Sequence, residues 1–189
     1  MWQFRLDPEK KGITCHYENE SFTDTIRLPG TVSEAQKGTP QNLRETGFLT
    51  DPYRMEGYCW YQKTVDLPLE HIEELFNWQI FLSLERTRIS YLWVDGTPLG
   101  SFDSFVSTHR YDLTPYIHSL HPVITIMVSN TGYKVPGGHL TSADTQTNWN
   151  GILGDLTLSC YKGFHISHAD AVSNVTDSCI ALSVAVKFF

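Results

Sequence analysis

The chain has 189 residues, enough for one ample domain or for one domain and part of another. With 41% hydrophobic and 19% charged residues it is globular in composition, and a formal net charge of −7 argues against nucleic acid as a partner, because phosphates need a basic field. No stretch approaches the ~20 apolar residues of a membrane-spanning helix, so no membrane partner is expected, and the opening "MWQFRLDPEKKG" lacks the apolar core of a signal peptide.

The strongest local signal is alternation with period two. "GYCWYQKTVDLP" is aromatic and β-branched, reads as a strand and ends at Pro68. "LEHIEELF", Leu69 to Phe76, is the best helical signal and predicts one or two turns in a connection. In "QIFLSLE", Ile80, Leu82 and Leu84 share one face, opposite Gln79, Phe81, Ser83 and Glu85. "RISYLWVDGTPLGSF" reads as a strand, an Asp95-Gly96 turn and a short return strand. "FVSTHRYDLT" is a further candidate strand, with Asp112 accepting backbone hydrogen bonds where it ends. In "VITIMVSN", Ile124, Ile126 and Val128 share a face. Many short strands punctuated by Pro and Gly predict an all-β sandwich or jelly roll from about Gln3 to Cys160. The tail, "HISHADAVSNVTDSCIALSVAVKFF", adds a short strand, a polar turn and a strand in which Leu182, Val184, Val186 and Phe188 alternate with small or polar residues. That is too little to bury a core, so it either adds a strand pair to the first domain or begins a second one.

Few constellations suggest chemistry. Cys15, Cys59, Cys160 and Cys179 show no C-x-x-C spacing and are expected to be small buried hydrophobes. His165 and His168 stand three apart, but a metal needs further ligands. No cofactor is expected; a structural calcium held by backbone carbonyls would leave no trace in the sequence. No G-x-S-x-G elbow or phosphate-binding glycine loop occurs. Among the carboxylates, Asp51, Asp103, Asp112 and Asp144 lie at strand ends or in loops, where turn formation is the ordinary role. The exception is "HLTSADTQTNWNGILG". Asn150-Gly151 alone would be a hairpin turn, but a turn needs neither Trp149 nor the polar groups around it. Sugars offer apolar ring faces and many hydroxyls, and Trp149 with Asp144, Gln146, Asn148 and Asn150 has the matching aromatic, amide and carboxylate chemistry. The bland reading is a loop whose Trp covers a core edge.

The order of the pieces carries a resemblance. "WQFRLDP", "IRLPGTVSEAQKG", "YRMEGYCWYQKTVDLP", "IFLSLERTRISYLWVDGTPLG", "HRYDLTPYI", "ITIMVSN" and "TNWNGILGDLTL" run over about residues 2 to 160. In this order they resemble the N-terminal sugar-binding domain of family 2 glycoside hydrolases, the group of β-galactosidases, β-glucuronidases and β-mannosidases. The resemblance implies a jelly roll over residues 1–162, with 163–189 as linker and first strands of an immunoglobulin-like domain. It implies a retaining glycosidase mechanism carried by a later barrel, so residues 1–189 alone should not hydrolyse a glycoside. It implies that the loop before the "GILG" strand approaches substrate, with Asp144, Asn148, Trp149 and Asn150 as the candidate contacts. The implied partners are carbohydrate and the remaining domains of the parent enzyme, with homo-oligomer contact as a further role. The parent would be periplasmic or extracellular, with the cytoplasm as the alternative. The family often has Arg where Leu153 or Gly154 stands here. Two other readings remain beside this one: an independent carbohydrate-binding module, and a protein-binding β-sandwich.

Overall fold

A computed structural model describes residues 1–41, 49–134, 140 and 147–188. Among the described residues the regular structure is nearly all strand: β1 (Trp2–Asp7), β2 (Asp24–Ile26), β3 (Gly30–Thr31), β4 (Thr39–Pro40), β5 (Tyr53–Arg54), β6 (Tyr58–Thr64), β7 (Trp78–Leu84), β8 (Ile89–Val94), β9 (Thr97–Phe102), β10 (His109–Asp112), β11 (Val123–Ser129), β12 (Gly151–Ile152), β13 (Leu156–Lys162), β14 (Ile166–Val175) and β15 (Ile180–Phe188). A six-stranded sheet in the order β2-β1-β6-β11-β8-β9 and a three-stranded sheet in the order β10-β7-β13 form the two layers, and all their pairings are antiparallel.

Alternation decides what lies between the layers. Ile80, Leu82 and Leu84 of β7 and Tyr111 of β10 pack in one buried cluster with Phe4, Cys59, Tyr61, Leu92, Val94, Ile124, Ile126 and Val128 of the larger sheet. Each such side chain contributes about 1.5–3 kcal/mol by leaving water. The all-β sandwich expected from the sequence is the fold observed.

The outer face of the larger sheet is also covered. Trp60, Trp93 and Met127 form a second cluster with Phe22, and Tyr17 sits edge-on to Trp60 at 5.8 Å. The segment that follows β1 provides this cover. Asp7 accepts the backbone N–H groups of Lys11 (2.9 Å) and Gly12 (2.8 Å) and the indole N–H of Trp60 (3.2 Å). Gly12 then lies so close that a Cβ there would stand 2.5 Å from the Trp60 ring. Burial on both faces explains why Cys59, Trp60, Tyr61 and Gln62 are consecutively buried. β8 and β9 are joined by a two-residue turn in which Asp95 (φ 47°) and Gly96 (φ 78°) both take positive φ, the geometry that matches strand twist.

The helical signal at 69–76 gives the expected short turns in a connection, a 3₁₀-helix over Ile72–Asn77 between β6 and β7. Other expectations are corrected. The candidate strand at 105–114 is regular only over His109–Asp112, where Asp112 does accept the N–H of Thr114 at 2.9 Å. Cys59 is buried as expected, but Cys15 and Cys179 are exposed, because they lie in the covering segment and the tail rather than between the layers. Asn150-Gly151 is not a hairpin turn. Gly151 pairs with Thr31 in the β12–β3 ladder, so close that a Cβ would strike the Gly30 carbonyl. β14 and β15 pair only with each other, as a separate two-stranded sheet at the C-terminal end.

Candidate functional site

The site is built by two short ladders and one loop. β3 pairs with β12, and the Asn150 carbonyl accepts the N–H of Val32 at 2.9 Å, which sets Thr31 to Glu34 beside Trp149. The run Thr31-Val32-Ser33-Glu34 closes on itself as a capping-box turn. Glu34 Oε2 accepts the N–H (2.9 Å) and hydroxyl (3.1 Å) of Thr31, and Thr31 Oγ1 accepts the N–H of Glu34 (3.0 Å). Ser33 Oγ accepts the N–H of Tyr53 at 3.2 Å, and the Gln41 side chain donates to the Asp51 carbonyl, so residues 50–53 close the third side. Thr147 donates its hydroxyl to Asp51 Oδ2 at 2.5 Å. The result is a hollow of about 280 Å³ lined by Thr31, Ser33, Glu34, Thr50, Asp51, Pro52, Thr147, Trp149 and Leu153.

Within "TNWN" the side chains alternate between frame and hollow. Asn148 donates to the Asn130 carbonyl (3.0 Å) and accepts the Tyr133 hydroxyl (2.9 Å). Asn150 is 3% exposed and donates to the carbonyls of Gly57 (3.2 Å) and Val128 (3.3 Å). Asn130, fully buried at the end of β11, donates to the carbonyls of Met55 (2.8 Å) and Asn148 (2.7 Å) and accepts the N–H of Gly57 (3.0 Å). Both loop asparagines are therefore engaged by the backbone or Tyr133, and Trp149 between them lines the hollow. Asp144 and Gln146 lie outside the described residues.

Behind Trp149 stands a residue that the sequence reading did not single out. Arg88 is 3% exposed, and its guanidinium carbon is 4.3 Å from the centre of the Trp149 ring, 5.4 Å from that of Phe105 and 6.0 Å from that of Tyr133. It donates to the carbonyls of Leu140 (3.1 Å) and Trp149 (3.4 Å), and no carboxylate among the described residues pairs with it. Burial lowers its pKa, and burial raises the Tyr133 hydroxyl to about 12 against the opposing pull of the arginine. π-faces and two carbonyls thus hold a nearly solvent-free cation, and this cation fixes the backbone of the Trp149 loop. On the far side, Ile89, Asp103, Phe105, Tyr133 and Lys134 line a second hollow of about 310 Å³. No group of three or more His, Cys, Asp or Glu side chains gathers to hold a metal among the described residues; His168 Nε2 lies 2.8 Å from Asp170 Oδ1, and His165 stacks on Tyr161.

No family model matches the sequence, and no curated protein does. Solved structures do match. A β-glucuronidase from an uncultured Clostridium sp. superposes with a TM-score of 0.67 at 16% identity, over 99% of this chain and 32% of that one. A Ruminococcus gnavus β-glucuronidase superposes with a TM-score of 0.69 at 14% identity, over 100% of this chain and 32% of that one. The chain therefore has the fold of about one third of these enzymes. The resemblance read from the motifs of residues 2 to 160 extends to the three-dimensional structure, β14 and β15 included.

Proposed function

We propose that residues 1–162 are a carbohydrate-contacting and scaffolding module of a larger β-glycosidase, with 163–189 opening an immunoglobulin-like domain that follows it. The observation that carries this reading is Trp149, which lines the hollow between the frame-bound Asn148 and Asn150, set among the carboxylates of Glu34 and Asp51 and the hydroxyls of Thr31, Ser33, Thr50 and Thr147. An aromatic platform ringed by acceptors and hydroxyls suits a sugar ring. Asn148 and Asn150 then act by holding the Trp149 backbone, and Asp144 stays a proposed contact on its place in the loop. The span of the chain, about a third of its structural relatives, supports the view that bond cleavage belongs to other parts of the parent enzyme. The apolar face of the hairpin formed by β14 and β15 supports further domains as partners, since Leu182, Val184 and Phe188 stand exposed on it.

Calorimetric titration of the chain with a panel of hexoses and oligosaccharides tests the ligand role. Binding at millimolar sugar should vanish in Trp149→Ala while the thermal transition is kept. The purified chain should not turn over chromogenic glycosides; measurable turnover would sink the assignment of chemistry to other parts. The exposed hairpin also favours a second reading, a surface for protein contact. Light scattering of the full chain against residues 1–162 separates the two: self-association that disappears with the hairpin favours that reading.

A further inference from the structure

We propose that the hollow beside Trp149 selects its sugar by charge: it prefers a glycosyl unit carrying a protonated amine, takes a neutral one more weakly, and disfavours one carrying a carboxylate. The proposal rests on the ligand reading of this hollow and names the class of sugar that fits.

The charges around the hollow are of one sign. Glu34 and Asp51 line it, and none of the other described lining residues is Lys or Arg. Each carboxylate uses one oxygen for the protein: Glu34 Oε2 for Thr31, and Asp51 Oδ2 for Thr147. Glu34 Oε1 and Asp51 Oδ1 have no hydrogen-bond partner among the described residues, so each carboxylate keeps one oxygen to accept from a ligand. A carboxylate only accepts, so an ammonium or a hydroxyl satisfies these oxygens and a second carboxylate does not.

Three cations of adjoining segments have partners of their own, while Arg27 and Arg86 form no ion pair among the described residues and do not line the hollow. Arg88 lies behind the Trp149 ring and donates to the carbonyls of Leu140 and Trp149. Lys37 pairs with Asp24 at 2.5 Å, and Arg54 donates to Glu56 at 3.2 Å. The net charge of −7 adds a repulsive background for any anion. Trp149 contributes the apolar platform common to all three sugar types and therefore does not discriminate by charge.

The test compares glucosamine, glucose and glucuronate, which share one ring stereochemistry, by calorimetry or ligand-detected NMR on the full chain. It is run at low salt and about pH 6, where the amine is protonated and the carboxylate ionised. Glucosamine should bind about three- to tenfold tighter than glucose, and glucuronate weaker than glucose by a similar factor, the size expected for solvent-screened charges a few ångströms apart. High salt should compress the three affinities towards one another. Glu34→Gln, and Glu34→Gln with Asp51→Asn, should remove the charge ranking while glucose still binds. If glucuronate binds as tightly as glucose, or the ranking survives both high salt and the double variant, the charge proposal is overturned and the ligand site stands. If none of the three sugars binds, or binding persists in Trp149→Ala, the ligand reading fails, and the charge proposal fails with it. The salt comparison uses the unmodified chain, so it decides even where a variant folds poorly.

Discussion

β11 and β15 carry the same kind of sequence and end in opposite environments. Ile124, Ile126 and Val128 alternate along β11 and are fully buried, whereas Leu182, Val184 and Val186 alternate along β15 and remain 67%, 57% and 39% exposed. Registers account for the contrast. β11 is flanked by β6 and β8 and faces β7 across the sandwich, so every apolar side chain meets another layer. β15 pairs only with β14, which sets Val175 opposite Ile180, Ala171 opposite Val184 and Ala169 opposite Val186. These residues share one face of a two-stranded ribbon, and nothing described lies over it. Alternation thus encodes a strand and assigns side chains to faces, but burial comes from a second layer that the strand does not specify.

Truncation in the buried strand should give the largest effect. Ile126→Ala removes atoms from a fully buried position between the layers and should cost about 2–5 kcal/mol, read from the urea midpoint at unchanged m-value. A cost below about 1 kcal/mol would mean that the sandwich relaxes around the void and that the contrast with β15 is shallower than the burial indicates.

A polar link across the sandwich gives an intermediate effect. Ser90 of β8 meets His109 and Tyr111 of β10: Ser90 Oγ lies 2.7 Å from His109 Nδ1 and 2.9 Å from the Tyr111 hydroxyl, which donates to the Ser90 carbonyl. His109 Nε2 lies 2.7 Å from the Ser104 carbonyl and must carry the proton, so Nδ1 accepts from Ser90. Burial lowers the His109 pKa below the ordinary 6.5, with the Ser104 carbonyl and Asp103 pulling the other way. The unfolded chain therefore binds this proton more readily. The His109 contribution is fully present above pH 6.5 and is lost as pH falls from there towards the folded value, with a slope of at most about 1.4 kcal/mol per pH unit. Denaturant midpoints measured through that window should show the slope in the native chain and a shallower one in His109→Gln. Equal slopes would mean that His109 is as easily protonated folded as unfolded.

The same contrast explains what could be read from the sequence. Strands such as Ile80-Leu82-Leu84, the Asp95-Gly96 turn and the buried Trp60-Tyr61 pair were legible because each is written locally, in period-two alternation or in a turn that demands positive φ. Of the residues that line the candidate hollow, Trp149 alone stood out in the sequence as a candidate contact. The partners of Asn148 and Asn150, Asn130 and Gly57 among them, lie 18 and 93 residues away in the chain, so no local pattern shows that both amides serve the frame. Glu34 had a visible signal in the Thr31-x-x-Glu34 capping-box spacing, but its place beside Trp149 depends on the two-residue β3–β12 ladder. Asp51 read as a turn former, and its approach to Thr147 is likewise set by a contact between distant loops. Arg88 resembled an ordinary charged residue at a strand start, because three aromatic rings and two carbonyls from elsewhere make it a buried cation.

The smallest effect should come from the exposed strand. Leu182→Ala removes a side chain comparable to that of Ile126, yet at 67% exposure the side chain already meets water in the folded chain. Its truncation should change unfolding stability by no more than about 0.5 kcal/mol. Solution behaviour should respond instead, because an uncovered apolar ribbon with open edges is a template for association. Leu182→Lys should lower the scattering of a concentrated sample and leave the thermal transition where it was. If Leu182→Ala instead costs as much as a core truncation, the ribbon is covered in solution by a second copy of the chain. The midpoint should then rise with protein concentration, which makes the cover directly measurable.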